Sequence, residues 1–141
     1  MTEHFTLAEL TFSQIATRRG INNTPDEQTI RHLLVLANGL ERIRKLLGHP
    51  ITISSGYRCP ALNALVSKAK NSAHLEGFAA DFVCRGYGSP LLIVNAIKHS
   101  DIRVDQCIEE GAWVHVSFAP PLRNQFLKAT FKNGKATYTF I

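Results

Sequence analysis

The chain has 141 residues, 45% of them hydrophobic, which is enough to bury the core of one globular domain spanning residues 1–141. No apolar run reaches the roughly 20 residues that a membrane-spanning helix needs, which excludes a transmembrane segment. The formal net charge of +5 favours anionic partners such as nucleic acid, membrane surfaces or anionic cell-wall polymer. The basic residues are scattered, however, and form no basic helix or aromatic-interleaved patch, so we expect no nucleic-acid partner.

Neither a targeting signal nor a disulfide framework is predicted. The opening segment MTEHFTLAEL carries acidic residues early and lacks the basic and apolar regions of a secretory signal. We therefore expect a protein made in the cytoplasm without a signal peptide. The three cysteines, Cys59, Cys84 and Cys107, are widely spaced and form no CxxC pair, which predicts reduced thiols rather than a zinc knuckle or disulfides.

The first part of the chain is predicted to be helical. Thr6 can cap a short helix over residues 7–10. Thr24 is predicted to be the N-cap of a long helix and Pro25 its first residue. This helix is expected to end near Leu47. Apolar residues recur in it at spacings of three and four, and Gly48 follows it. We expect this helix to pack across a sheet.

The second part of the chain is predicted to alternate strands with short helices. Strands are expected over residues 51–54, 79–84, 104–109, 113–118 and 136–140, with helices over 61–67 and 90–99. Asn133-Gly134 is a strong hairpin signal. The expected fold class is α+β, a small antiparallel sheet with helices packed on one side.

Three residues of this second part form a candidate metal site. A catalytic zinc takes three protein ligands, usually His nitrogens and a carboxylate, and keeps a fourth position for water. His74 and Asp81 are too far apart for one helical turn and suit a loop that leads into a strand, with small residues between them. His115 lies within a predicted strand. Because side chains alternate between the two faces of a strand, His115 lies on the opposite face from Val114 and Val116. Each residue alone has a structural explanation, and their combination favours one zinc site.

Several short motifs resemble those of the zinc D-alanyl-D-alanine carboxypeptidase superfamily. They are SGYR at residues 55–58, the pattern S-x-H-x-x-G-x-A-x-D from Ser72 to Asp81, and WVH at residues 113–115. The similarity extends over most of the chain and is nearest to the small peptidoglycan peptidases common in phages and prophages. The resemblance implies an active-site groove carrying one Zn²⁺, with His74, Asp81 and His115 as its ligands.

The resemblance also implies roles for two residues beside the metal. Arg58, of the SGYR motif, is expected to pair with a substrate carboxylate or with the carbonyl oxygen that becomes negative during attack. It is therefore a candidate both for substrate binding and for catalysis. Ser72 is expected to form hydrogen bonds near His74 or with the substrate.

The general base is the residue for which the sequence leaves alternatives. An acid is needed to take a proton from the attacking water and pass it to the leaving amine. Several relatives carry that acid three residues before the last histidine, where this chain has Ala112. The nearest carboxylates are Glu110, which the phage-type branch favours, and Glu109, the second choice. Asp105 is expected to be structural.

The expected function is that of a zinc metallopeptidase that cuts peptidoglycan stem peptides, as an endopeptidase or as a D-Ala-D-Ala carboxypeptidase. Its partner is then a peptidoglycan peptide, and we expect a monomer. A role in phage or prophage lysis, after holin-type release or as a virion component, would explain the absent signal peptide. The alternative is a non-catalytic zinc-binding or wall-binding module of the same fold, which the residue at position 112 favours.

Overall fold

A computed structural model describes residues 1–141 as six helices and one six-stranded sheet, so the predicted α+β class is confirmed. The helices are α1 (Leu7–Thr11), α2 (Gln14–Arg19), α3 (Glu27–Leu47), α4 (Pro60–Val66), α5 (Ala73–Glu76) and α6 (Pro90–Lys98). The strands are β1 (Thr52–Ser55), β2 (Ala79–Val83), β3 (Gln106–Glu109), β4 (Val114–Ser117), β5 (Gln125–Lys132) and β6 (Lys135–Phe140). None of the helices combines the length and the apolar character that a bilayer-spanning helix requires.

The long helix α3 is confirmed, but the prediction of its N-cap was wrong. The side chain of Asp26, not that of Thr24, accepts a hydrogen bond from the backbone N–H of Thr29, at 2.8 Å. A carboxylate at this position also interacts favourably with the positive end of the helix dipole. Thr24 instead donates its hydroxyl to the side chain of Asn22 at 2.6 Å.

Helix α2 was not predicted from the sequence. Ser13 caps it by accepting a hydrogen bond from the N–H of Ala16, and Gly20 ends it in the left-handed conformation with φ of 66°. Ala16 is its only buried residue. A helix that buries one small side chain has no apolar periodicity, which is the signal by which α3 was recognised.

The sheet is larger than expected and is mixed rather than antiparallel. Its strands lie in the order β1-β2-β4-β3-β5-β6, and β5 pairs with β3 in parallel while every other pair is antiparallel. Residues 118–124 carry the chain from β4 past β3, and Asn124 donates its N–H to the carbonyl of Val104 at 2.8 Å. Alternation of apolar residues reports the face of a strand but not the direction of its neighbour, so this pairing had no signal in the sequence.

One face of the sheet packs against α3 and α6 and forms the main hydrophobic core. Val114, Val116 and Phe82 are fully buried there, so the predicted alternation of β4 is confirmed. Helix α3 approaches this face closely, since a Cβ at Gly39 would lie 2.3 Å from the ring of Phe118. The three cysteines are free and buried, as expected.

The opposite face of the sheet, which we call the site face, carries the polar candidate residues. Cross-strand partners lie on the same face, and the register aligns Asp81 of β2 with His115 of β4. The same row continues through Ile108 of β3 and Leu127 of β5 to Phe140 of β6. Along this row, the site face is therefore polar on β2 and β4 and apolar from β3 to β6.

Candidate metal centre

Three elements bring His74, Asp81 and His115 together. Asp81 and His115 are direct cross-strand partners in the β2–β4 pair. His74 comes from the short helix α5, which Ser72 caps by accepting a hydrogen bond from the N–H of His74 at 3.2 Å. Gly77 ends α5 with φ of 83°, and a Cβ there would lie 2.9 Å from the Thr29 side chain. Glycine is therefore required for α5 to turn directly into β2.

The side chains of this triad converge on one point. Oδ1 of Asp81 lies 3.2 Å from Nε2 of His74 and 3.0 Å from Nδ1 of His115. One candidate ligand atom from each residue lies within 4.8 Å of the other two. Two imidazole nitrogens and a carboxylate oxygen are ligand types that zinc prefers. The triad could therefore hold a metal ion.

The hydrogen bonding of His74 favours a cation between these residues. Nδ1 of His74 lies 2.8 Å from the carbonyl oxygen of Gly56, and a carbonyl can only accept, so Nδ1 is the donor. In the neutral ring, Nε2 then presents a lone pair toward the carboxylate of Asp81. A bound cation satisfies both acceptors, and a backbone carbonyl that orients a ligating histidine is a common feature of metal sites.

The charge states match the same interpretation. Burial lowers the pKa of His74, which keeps its ring neutral even though Asp81 opposes the effect. Burial acts to raise the pKa of Asp81, but the neighbouring imidazoles of His115 and His74 outweigh it and hold this pKa well below its usual range. Metal ligands must be a neutral imidazole and an ionised carboxylate, and both conditions are met at neutral pH.

The triad opens into a groove of about 420 Å³ that also contains the other predicted site residues. Its lining includes Arg58, Ser72, His74, Glu110 and His115. These residues come from five separate parts of the chain, the SGYR segment, the cap of α5, α5 itself, the β3–β4 turn and β4. The structure therefore places a guanidinium, a hydroxyl group and an acid around the candidate metal position.

Arg58 lies beside the triad with an incompletely satisfied guanidinium. Its backbone N–H donates to the carbonyl of His74 at 3.1 Å, which ties the SGYR segment to α5. Its Nε is buried and has no hydrogen-bond partner within the protein. Burial lowers the pKa of Arg58 and the negative charge of Asp81 opposes this, but a guanidinium stays protonated in proteins. A buried donor left unpaired costs about 1–3 kcal/mol, so an anionic or carbonyl ligand would be stabilised here.

Glu110 is the acid that the groove contains. It is partly buried, and its backbone N–H donates to the carbonyl of Trp113 at 2.9 Å within the tight β3–β4 turn. Burial raises the pKa of its carboxyl group. His115 acts to lower this pKa, while the negative charges of Asp81 and Glu109 raise it further. A carboxyl group with a raised pKa suits the exchange of protons with water.

Glu109, the second choice for the base, faces away from the groove. It is 7% exposed, and it pairs with Val114 in the register on the core face of the sheet. Its carboxylate accepts a hydrogen bond from the N–H of Gly111 at 2.6 Å, where the backbone has φ of 89°. Glu109 therefore braces the turn that presents Glu110. The structure favours Glu110 over Glu109 as the acid beside the metal.

Asp105 has the structural role that was expected. It is buried, and its carboxylate accepts hydrogen bonds from Arg123 at 2.6 and 2.9 Å and from Ser117 at 3.3 Å. This pair links the start of β3 to the segment that leads into β5.

The groove also contains residues that the sequence analysis did not single out. Gln106 and Ile108 of β3, Leu127 of β5 and Tyr138 of β6 all line it. Their only sequence signal was a place on predicted strands or near a hairpin turn. Recognising Leu127 and Tyr138 required the parallel β3–β5 pairing, which brings the last hairpin alongside the site.

Comparison with known proteins assigns the chain to a family. A family model described as peptidase M15 matches residues 3–117, a segment that contains Arg58, Ser72, Glu110 and the whole triad. No curated protein matches the sequence. The matched segment stops before β5 and β6. The resemblance seen in the motifs is thus confirmed at the level of the family, and the chain belongs to the peptidase M15 family, the zinc D-alanyl-D-alanine carboxypeptidase family.

Proposed function

We propose that the protein is a zinc peptidase that hydrolyses a peptide bond in the stem peptides of bacterial peptidoglycan. The observation that carries the proposal is the triad of His74, Asp81 and His115, which converges beside Glu110 and Arg58 in one groove. Membership of a zinc-dependent peptidase family agrees with it. A structural metal site has no use for an acid and an unsatisfied guanidinium beside it, whereas in a hydrolytic site the acid can transfer a proton and the guanidinium can bind the substrate.

In this proposal His74, Asp81 and His115 hold the zinc ion. When bound, zinc supplies Lewis-acid chemistry, which acidifies water and polarises a carbonyl group. The hydrogen bond from Nδ1 of His74 to the carbonyl of Gly56 fixes the tautomer and the ring orientation of this ligand. The backbone register of β2 and β4 positions the other two ligands relative to each other.

Glu110 moves the proton in the proposed reaction. As a carboxylate it accepts a proton from the attacking water, and as a carboxylic acid it then gives that proton to the leaving amine. The raised pKa of Glu110, caused first by burial, makes its acid form a weaker acid and its carboxylate a stronger base than those of an ordinary glutamate. The turn braced by Glu109 and Gly111 keeps Glu110 at the groove.

Arg58 and Ser72 bind the substrate in this proposal. The guanidinium of Arg58 donates to a substrate carboxylate, or to the carbonyl oxygen as negative charge develops on it during attack. The buried and unpaired Nε of Arg58 supports such a ligand. The hydroxyl oxygen of Ser72 accepts from the N–H of His74, which leaves its own hydrogen available for a peptide carbonyl in the groove.

The proposed substrate is a stem peptide that contains D-amino acids, cut by endopeptidase or D-Ala-D-Ala carboxypeptidase action. The motifs SGYR, S-x-H-x-x-G-x-A-x-D and WVH support it through their resemblance to phage-type peptidoglycan peptidases. The net charge of +5 supports attraction to an anionic wall. We further propose a monomer that acts in phage or prophage lysis, released by a holin-type lesion or carried in a virion.

A non-catalytic zinc-binding or wall-binding module is the competing proposal, and the observation behind it is Ala112. This chain lacks an acid at the position three residues before His115, where several relatives of the wider superfamily carry one. The position of Glu110 in the groove favours the enzyme.

Digestion of purified peptidoglycan separates the two proposals. The wild type, Glu110→Gln and the exposed-residue control Glu27→Gln are each incubated with the wall polymer, with zinc and with a chelator. Mass spectrometry of the released muropeptides identifies the bond, and elemental analysis counts the zinc. The enzyme proposal expects new peptide termini that disappear with the chelator and with Glu110→Gln, while Glu110→Gln still binds one equivalent of zinc. Zinc binding without cleavage in any variant contradicts it and supports the module.

A further inference from the structure

The β5–β6 hairpin extends the site face beyond the segment that the peptidase M15 family model matches. The register pairs Leu127 with Phe140 and Ala129 with Tyr138, so these residues share one face of the sheet. Leu127 is also the direct partner of Ile108, which in turn pairs with His115. The apolar row therefore starts at a candidate metal ligand and runs outward across the hairpin. The match ends at residue 117, before the hairpin begins.

Tyr138 is the residue through which the hairpin reaches the groove. It lines the same cavity as Glu110 and His115, together with Leu127. Burial raises the pKa of its phenol and the negative charge of Glu110 adds to this effect, so the hydroxyl stays protonated at neutral pH. The residue is nevertheless 50% exposed, so part of its ring remains available to a ligand.

The hairpin is held in place, so its wall of the groove is a fixed one. Strand β5 is paired with β3 along the whole length of β3, from Gln106 to Glu109. At the far end, the N–H of Ile141 donates to the carbonyl of Phe126 at 3.0 Å. The ammonium group of Lys98 on α6 donates to the backbone oxygen of Ile141. Contacts on both sides thus anchor β6 and its side chains.

The lining of the groove differs from one side to the other. Arg58, Ser72 and Glu110 surround the triad with charged and hydroxyl groups, which suit the carbonyl and the nitrogen of a peptide bond and a carboxylate of the substrate. Ile108 and Leu127 are buried and form a separate small apolar cluster with Ala129 on the hairpin side. A ligand that spans both sides needs a polar scissile group and an apolar portion next to it.

We propose that Tyr138 is a substrate-binding residue and that the β5–β6 hairpin forms a subsite for the apolar part of a peptide next to the scissile bond. The ring of Tyr138 packs on the aliphatic side chain of that peptide, Leu127 forms the floor beneath it, and the hydroxyl donates to a backbone carbonyl. This inference rests on the proposed peptidase function. It adds a contact from a part of the chain outside the family-matched segment.

Steady-state kinetics on a soluble stem peptide test this subsite with three variants. Tyr138→Ala removes the ring and the hydroxyl, and Tyr138→Phe removes the hydroxyl alone. Thr139→Ala is the matched control, since Thr139 is its neighbour on the same exposed strand but pairs with Lys128 on the other face. Tyr138→Ala should raise KM about tenfold with kcat changed less than about threefold, since it removes both an apolar contact and a hydrogen bond to the bound peptide. Tyr138→Phe should fall between it and the wild type.

A binding measurement tests the proposed subsite separately from the proposed hydrolysis. Calorimetric titration of the same peptide is made into zinc-loaded Glu110→Gln, with and without Tyr138→Ala, and zinc content and thermal unfolding are recorded for every variant. Weaker binding with Tyr138→Ala supports the subsite even when no variant cleaves, in which case only the proposed hydrolysis fails. Unchanged KM and unchanged affinity, with the wild type active, overturn the subsite and leave the peptidase intact. If Tyr138→Ala changes only the oligomeric state measured by sedimentation, the subsite is overturned as well. The site face of the hairpin is then a contact between copies of the chain.

Discussion

Replacing Asp81 by asparagine should weaken zinc binding while leaving the metal-free protein folded. Oδ1 of Asp81 lies 3.0–3.2 Å from both histidine nitrogens, and an amide of the same shape can still hydrogen-bond to them. The negative charge that a zinc ion needs is lost, however. Mutating a residue that only hydrogen-bonds to metal ligands lowers metal affinity about 10–100-fold. We expect the loss for Asp81→Asn to reach the upper end of that range, about 100-fold.

This loss of affinity becomes a measurable loss of stability. At a zinc concentration about 1,000 times the wild-type Kd, the ion stabilises the folded state by about 4.1 kcal/mol, and a site about 100-fold weaker retains about 1.4 kcal/mol. For a chain of this size, the difference of about 2.7 kcal/mol corresponds to about 10 °C in Tm. Zinc should therefore raise the Tm of Asp81→Asn by about 10 °C less than it raises the Tm of the wild type. Calorimetric unfolding with and without zinc measures it.

Asp105→Asn is the matched control for Asp81→Asn. Asp105 is likewise a largely enclosed aspartate, with a side chain 7% exposed against 15% for Asp81, but its partners are Arg123 and Ser117. Its loss should lower the Tm of the metal-free and the zinc-loaded protein by the same amount. If Asp81→Asn keeps the full zinc-dependent shift, the metal is bound elsewhere and the assignment of the triad is wrong.

Three further variants have expected outcomes. Glu110→Gln should lower kcat by about 10²–10⁴-fold without loss of zinc. Because burial raises the pKa of Glu110 and the base acts as a carboxylate, kcat/KM should rise with pH on a limb centred above the ordinary glutamate value of 4.5, and this limb should vanish in Glu110→Gln. Arg58→Ala should lower kcat/KM about 10–100-fold, as expected for lost hydrogen bonds to a charged group, measured by steady-state kinetics. Gly77→Ala should destabilise the fold by about 1–3 kcal/mol in chemical denaturation, since φ is 83° and the new Cβ would lie 2.9 Å from Thr29.

Each of these outcomes has a control within the chain. Glu27→Gln and Arg85→Ala change exposed residues outside the groove and should leave the kinetics unchanged. Gly20→Ala introduces a side chain at φ of 66° with no atom within 4 Å, so it isolates the conformational cost from the contact with Thr29. An equal loss of stability in Gly20→Ala and Gly77→Ala would contradict the claim that close packing at Gly77 matters.

The choice between Glu109 and Glu110 shows what a sequence motif can predict and what depends on the folded structure. Both acids stand at the end of one strand and differ by a single position. Because side chains alternate along a strand, one of the two faces the core and the other faces the groove. The sequence contained that alternation, but the tight turn through Gly111 left open whether Glu110 would point at the metal. The hydrogen bond from the N–H of Gly111 to Glu109 resolves the geometry of this turn.

Local properties of the sequence were sufficient to predict much of the fold and to select the candidate ligands. Helix α3 could be predicted because its apolar spacing repeats over five turns, and β4 because Val114 and Val116 alternate with His115. The three ligands could be predicted because their residue types and motif resemble those of a known family. The N-cap of α3 could not be predicted from the sequence, because Thr24 and Asp26 are both favourable N-cap residues and only the folded backbone selects between them.

Tertiary structure alone decided what lies opposite the triad. The sequence predicted the hairpin through Asn133 and Gly134, but neither its partner strand nor its direction is encoded in local periodicity. The parallel pairing of β5 with β3 depends on non-local contacts, because the segment between β4 and β5 must pass β3. That pairing places Tyr138 in the groove. The sequence by itself thus determined which residues are candidates to hold a metal, whereas the packing of the sheet determined which residues line the groove beside them.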